Sequence, residues 1–251
     1  MRPDSLPPLD DRTIVCVQAG NVNSGAFDAA GEICTRAHAA GAWVHVDGAF
    51  GLWAAASAAH RNLALPFGEA DSWATDAHKW PNVGYDCGLA FVRDGRALRA
   101  TMALSSAYFS PTDAREPSQF TPEMSRRARG VELWASLRSL GRQGLADLID
   151  GTCAHASRFA DGLRRLRCDV LNEVVINQVL VSFGSDADTR AVIDYVQRDG
   201  TCWCGGTEWH GRAAMRISVS SWCTTAADVD LSLAAIGRAV AHVRETGASA
   251  K

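Results

Sequence analysis

No apolar run in this 251-residue chain approaches the roughly 18 residues needed to cross a bilayer as a helix. Charge of one sign is not in excess either. With 25 Lys and Arg against 28 Asp and Glu, the net charge is −3 and the pI about 6.2, which argues against nucleic acid or an anionic membrane as the main partner. Residues 1–11 are polar and proline-rich and lack the apolar core of a signal peptide. Internal repeats and low-complexity tracts are absent. The eight cysteines lie scattered through mixed contexts, so reduced thiols and a cytoplasmic location are expected, not a disulfide framework. What is present is a hydrophobic content of 47%, enough for one large domain or one and a half ordinary ones.

The first hundred residues alternate strand and helix signals. Apolar strands are expected at 13–18, 43–47, 71–75 and 88–92, with a helix over about 26–40 ended by Gly41. Strands separated by helix-length segments indicate an α/β sheet covered on both faces. Ligands of such sheets gather at the carboxyl ends of the strands, where Asn21, Asp47 and Lys79 fall. Residues 103–122 hold three prolines and little periodicity, and read as a long loop. A helical stretch over 123–149, interrupted near Gly141 and Gly144, and a second over 150–167 follow, then a strand at 174–183, a helix at 186–199, a strand at 214–219 and a last helix at 226–244. The expected division is a large-domain portion at 1–125, and a linking helix with a small α+β domain at 126–251.

Two segments carry the chemistry. Lys79 sits in Asp71-Ser72-Trp73-Ala74-Thr75-Asp76-Ala77-His78-Lys79-Trp80, and upstream lies His45-Val46-Asp47-Gly48-Ala49. A lysine amine that bonds an aldehyde and a strand-end carboxylate that keeps a pyridine nitrogen protonated together outline a pyridoxal 5'-phosphate site. The amine must be neutral when it attacks.

Three blocks extend this pattern: Gly20 through Asp28, His45 through Gly51, and Ser72 through Arg93. In the last, Ser72-Trp73 is followed at matching offsets by Lys79-Trp80, Tyr85, Cys87 and Arg93. Over nearly its whole length the chain resembles the group II pyridoxal-dependent decarboxylases, the family of aromatic-amino-acid and glutamate decarboxylases. The resemblance implies the PLP-dependent transferase fold of type I, a small amino-acid substrate, and a homodimer in the full-length form. It implies that Lys79 carries the cofactor, that Asp47 pairs with the ring nitrogen, and that Ala49 lets the ring lie flat. Asn21 would contact a ring substituent and His78 would reach the phosphate. Tyr108, in the long loop, would return a proton to the α-carbon after carbon dioxide leaves. Relatives often carry asparagine where this chain has Asp76. An ionised aspartate cannot donate to a phosphate and would repel it, so either Asp76 points elsewhere or the phosphate is held differently.

Other features carry less. Cys202-x-Cys204 with His210 and Cys223 fits no common zinc spacing, so no metal is expected. Arg216 opens a strand where related aminotransferases clamp the substrate carboxylate. Arg126, Arg127 and Arg129 read as a surface or subunit contact, and Trp203, Trp209 and Trp222 as packing residues. Members of the family are much longer, and residues 1–11 cannot supply their glycine/serine-rich phosphate turn or their stacking aromatic residue. The chain is therefore expected to be the C-terminal portion of an amino-acid decarboxylase. An aminotransferase or lyase on the same fold, and a catalytically silent module, remain alternatives.

Overall fold

Residues 1–102 and 115–248 are described by a computed structural model. Two four-stranded sheets organise the chain. In the first, β1 (Ile14–Gln18), β2 (Trp43–Asp47) and β3 (Ser72–Asp76) run parallel in that order, and β4 (Gly88–Val92) closes the edge antiparallel to β3. The helix α1 (Ala30–Ala39) crosses between β1 and β2 and packs Ile33, Cys34 and Ala37 onto Val15, Val17, Val44 and Val46. It starts four residues later than expected. Residues 26–29 stay extended, since Phe27 bridges back to Ala19 and Asp28 Oδ2 accepts the Gln18 amide at 2.7 Å. Behind β2 a 3-10 turn (Gly51–Ala56) presses against the loop after β1. A Cβ on Gly51 would lie 2.2 Å from the Ala19 carbonyl oxygen, so only glycine permits that approach. The short α2 (Arg61–Ala64) and a further 3-10 turn lead into β3, and α3 (Gly95–Met102) follows β4.

The helix α4 (Arg129–Arg165) leads out of this layer. It runs through 149–150, where a boundary was expected, and is kinked at Gly141, one of the two expected interruptions, where φ of 64° and ψ of −174° are not helical. The second sheet has the order β5 (Asp169–Val170), β6 (Gln178–Ser182), β8 (Arg212–Ser218) and β7 (Gly205–Trp209), all antiparallel. Its core face packs Val179, Val181, Met215 and Ile217 against α4, α5 (Asp186–Asp199) and α6 (Ala226–Ala248). A capping box of Ser185 and Asp188 starts α5, and left-handed Gly200 ends it. Strand β7 went unpredicted: its Gly-Gly start has weak strand propensity, and the His210-Gly211 turn, with both φ angles positive, supplies the hairpin.

Trp203 and Trp222 are not packing residues. They are 76% and 72% exposed, Trp203 because it alternates outward between Cys202 and Cys204, and Trp222 because it sits in the loop beyond β8. The two flanking cysteines share the inward side. The Cys204 thiol donates to Cys202, whose pKa is thereby lowered to about 7, while Cys153 is pushed up to about 12 by burial. Iodoacetamide should alkylate Cys202 with a midpoint below that of an ordinary thiol and leave Cys153 untouched in the native chain, as peptide mass mapping would read. A Cys202 midpoint above 9 would contradict the pairing.

One face of the first sheet carries no covering layer among the described residues. The registers place Ile14, Cys16, Trp43, His45, Ser72, Ala90 and Val92 on the side away from α1, and Ile14 is 65% exposed. Parallel sheets are ordinarily buried on both faces. A bare, weakly charged sheet surface should make the purified chain bind an apolar dye and self-associate with concentration. The pair Ile14→Lys with Ala90→Glu should reduce both, measured by dye fluorescence and light scattering. Unchanged association in that variant would place the sticky surface elsewhere.

Candidate active site

At the carboxyl ends of the parallel strands a cavity of about 550 Å³ opens between the two sheets. Asp47, the last residue of β2, and Ala49 line one side of it, and Lys79, three residues past β3, lines another. The chain therefore brings together the amine and the carboxylate that the sequence singled out. The volume is that of a small-molecule site.

Lys79 is held from below and from the side. Its neighbour Trp80 is 1% exposed and donates its indole N–H to Thr152 Oγ1 on α4 at 2.8 Å. Phe50 meets that indole edge-on at 6.2 Å between ring centres. The Lys79 side chain is 41% exposed and reaches over the cavity, with Nζ 2.9 Å from Asp76 Oδ2. Asp76 thus points along its own turn to the amine, with His78 Nε2 3.7 Å away. A carboxylate there is within hydrogen-bond reach of the proton that the amine must lose.

Asp47 accepts one local bond, from the Ala49 amide at 3.2 Å, and is otherwise open. That leaves lone pairs free for an N–H donor above the strand end. The far wall comes from the second sheet: Asn177, Gln178, Arg216 and Ser218, with Ser220 beyond β8. Ser218 donates to Gln178 Oε1 at 2.6 Å, and the Arg216 guanidinium lies 3.5 Å from the Val22 carbonyl oxygen. Gln178, Arg216 and Ser218 project from the sheet face opposite the core residues Val179 and Ile217, so strand alternation aims them at the cavity.

Two of the residues singled out from the sequence lie off this wall. The Asn21 side chain is taken up by its own turn: Oδ1 accepts the amides of Asn23 and Ser24 at 3.0 and 3.1 Å, and Nδ2 donates to Gln18 Oε1 at 2.9 Å. The His78 ring turns to the next strand instead. Its Nδ1 accepts the Cys87 amide at 3.0 Å, and Tyr85 lies against it at 4.2 Å between ring centres. Neither side chain lines the cavity. Tyr108 lies outside the described residues. The arginines expected at the surface brace the lysine loop, since Arg129 pairs with Asp86 at 2.9 Å and Arg127 donates to the Asp86 carbonyl.

Sequence reasoning overlooked Gln178, Asn177 and Ser220, which come from far along the chain. Gln178 and Asn177 carried a signal nonetheless, being polar residues inside an otherwise apolar strand segment. Residues that fit a pyridoxal ring are present: the open strand-end carboxylate of Asp47, the lysine Lys79 and the small residue Ala49 line the same cavity. At the phosphate end, the lining residues include no glycine-rich helix start among those described.

The architecture, a mainly parallel sheet followed by a linking helix and a small antiparallel domain, is a partial PLP-dependent transferase fold of type I. The rice (Oryza sativa) TDC, solved with PLP and tryptamine, superposes on 92% of this chain with a TM-score of 0.87 at 24% identity, the match covering 51% of that structure. Mouse CSAD superposes on 90% with a TM-score of 0.83 at 22% identity, covering 52% of its chain. In sequence, residues 10–184 match the pyridoxal-dependent decarboxylase conserved domain. The chain belongs to that family. It is 32% identical over 167 residues to tyrosine/DOPA decarboxylase 5 of Papaver somniferum, across 64% of this chain and 31% of the relative. It is 29% identical over 230 residues to tryptophan decarboxylase 1 of Oryza sativa subsp. japonica, across 83% of this chain and 44% of the relative. The chain thus spans less than half the length of these curated relatives. Among its described residues, no helix is long and apolar enough to cross a membrane.

Proposed function

We propose that this chain carries the lysine-bearing part of a PLP-dependent amino-acid decarboxylase, a carboxy-lyase. The observation that supports this most directly is that Asp47 and Lys79 line one cavity at the carboxyl ends of neighbouring parallel strands. Bound pyridoxal phosphate supplies an electron sink for the pair left when a bond at the substrate α-carbon breaks.

Each residue then has a task. Lys79 would hold the cofactor through its amine, and Asp76 Oδ2, 2.9 Å from Nζ, stands where it could take a proton from that nitrogen. Asp47 holds the ring nitrogen protonated by its negative charge, and Ala49 leaves room for the ring. Arg216, on the second-sheet wall of the cavity, would meet the substrate's α-carboxylate. Tyr108, which lies outside the described residues, would return the proton to the α-carbon. The substrate is an amino acid, as it is for the relatives named for tyrosine, DOPA and tryptophan.

The test adds pyridoxal phosphate and then an amino-acid mixture to the purified chain. A new absorbance band beyond about 400 nm, followed by carbon dioxide release, supports the reading. Formation of a keto acid without carbon dioxide would assign an aminotransferase instead. No spectral change would leave the chain as a silent module on the same fold.

A further inference from the structure

Between the segment that carries Lys79 and the strand that carries Arg216 lies a single polar side chain with unusual connections. Asn82 sits in the left-handed region, at φ 58°, three residues after Lys79. Its Nδ2 is 2.9 Å from the Lys79 carbonyl oxygen, 2.6 Å from that of Trp80 and 2.7 Å from that of Ser220. Its Oδ1 accepts the Trp222 amide at 2.9 Å. An amide nitrogen has two hydrogens, so the three carbonyls share them, and both ends of the side chain are engaged.

Those partners belong to the two walls of the cavity. Lys79 and Trp80 line the first, and Ser220 lines the second, two residues past the end of β8 and four past Arg216 on the same backbone. The Ser220–Trp222 segment follows Val219, whose amide and carbonyl both pair with Asn177, the residue just before β6. Across the gap to the lysine loop, Asn82 supplies the hydrogen bonds to Ser220 and Trp222.

We infer that Asn82 is a positioning residue that fixes the distance between the Lys79 amine and the Arg216 guanidinium. This rests on the reading of Lys79 and Arg216 given above. An amino acid must present its nitrogen to the aldehyde carried at Lys79 while its carboxylate meets Arg216. A side chain that locks the two backbones together therefore sets how well both ends are satisfied at once. Substrate that draws on Arg216 pulls on the lysine loop through the same amide.

The variant Asn82→Gly keeps the left-handed backbone and deletes the clamp. Asn82→Asp keeps the acceptor for Trp222 and turns a carboxylate toward three carbonyl oxygens. In the full 251-residue chain, hydrogen exchange should rise about tenfold at residues 79–83 and 219–223 together in both variants, the loss expected for one or two net hydrogen bonds. Exchange in β6 and β8 should stay as in the parent. A second readout uses borohydride trapping of pyridoxal phosphate on Lys79 under competition. Alanine should protect the lysine better than ethylamine, which lacks only the carboxylate, and that preference should collapse about tenfold in Asn82→Gly. Parent-like exchange at Trp222, loosening of β6 and β8 as well, or an unchanged preference would each overturn the positioning role. If the parent itself is not trapped at all, the cofactor reading fails, and the exchange pattern still decides whether Asn82 couples the two walls.

Discussion

Lys79→Ala yields a chain that pyridoxal phosphate no longer labels at this segment, while its melting behaviour matches the parent. The two halves of that result have separate causes. Covalent attachment needs a primary amine at the one position facing the cavity beside Asp76, and alanine removes it. Stability changes little because the Lys79 side chain is 41% exposed and its ion pair with Asp76 is partly solvated. Pairs of that kind contribute at most about 1 kcal/mol. The measurement is borohydride reduction of the mixture, then mass mapping of the peptide that spans residues 79–93. The parent should carry one reduced adduct on Lys79, and the variant none. An equal adduct yield on Lys251, the chain's other lysine, would mean that the label marks an accessible amine and not a site.

Asp47→Asn separates attachment from electronics in the same assay. The amide still fills the strand end but cannot hold a proton on the ring nitrogen by charge. Labelling at Lys79 should persist, while any carbon dioxide release should fall by about 10²–10³, the usual cost of losing one preorganised electrostatic partner. Equal turnover in the two proteins would remove Asp47 from the ring.

How far the sequence led can be judged from the strands. The runs at 43–47 and 88–92 are strands at those bounds, because β-branched and aromatic residues flanked by turn residues leave little alternative. With β2 placed, the parallel-sheet rule put Asp47 at a ligand-binding end before any coordinate was known. Other elements depended on partners that are distant in sequence. The two-residue β5 exists only because Asp169 and Val170 find Ser182 and Val181. Asn21 reads the same whether its amide faces a cofactor or its own turn, and only the folded loop decides that Nδ2 meets Gln18. Gln178 and Ser218 became wall residues through cross-strand pairing, 40 residues apart. Local pattern predicts elements; pairing assembles sites.

The bare sheet face bears on the same cavity. Gln18 and Asp47 stand in register on the side that also shows Cys16 and His45, so the open surface runs directly into the cavity mouth. Any layer that covered Ile14, Cys16 and His45 would also screen Asp47 from water. Screening strengthens a charge-to-ring contact, since the same two charges interact more strongly at lower effective dielectric. Asp47 in the described residues is exposed, and its hold on a ring nitrogen should therefore be weaker, and more sensitive to salt, than a buried carboxylate would give.

Trp80→Ala should cost the chain about 3–5 kcal/mol of stability, the largest loss expected from any single truncation near the site. The indole is 1% exposed, lies edge-on to Phe50 at 6.2 Å and packs in the cluster with Leu145, Ile149, Cys153 and Ile176, which joins the lysine loop to α4. Alanine leaves a void there that rigid helix and strand neighbours cannot close. Trp80→Phe keeps most of the volume and gives up the bond to Thr152. Thr152 Oγ1 retains carbonyl acceptors at Leu148 and Ile149 for its own proton, so that variant strands no donor and should cost only about 1–2 kcal/mol. Urea titration followed by circular dichroism measures both. The order matters more than either value: a phenylalanine variant as unstable as the alanine one would mean that the hydrogen bond, and not the packed indole, seats Lys79 over the cavity.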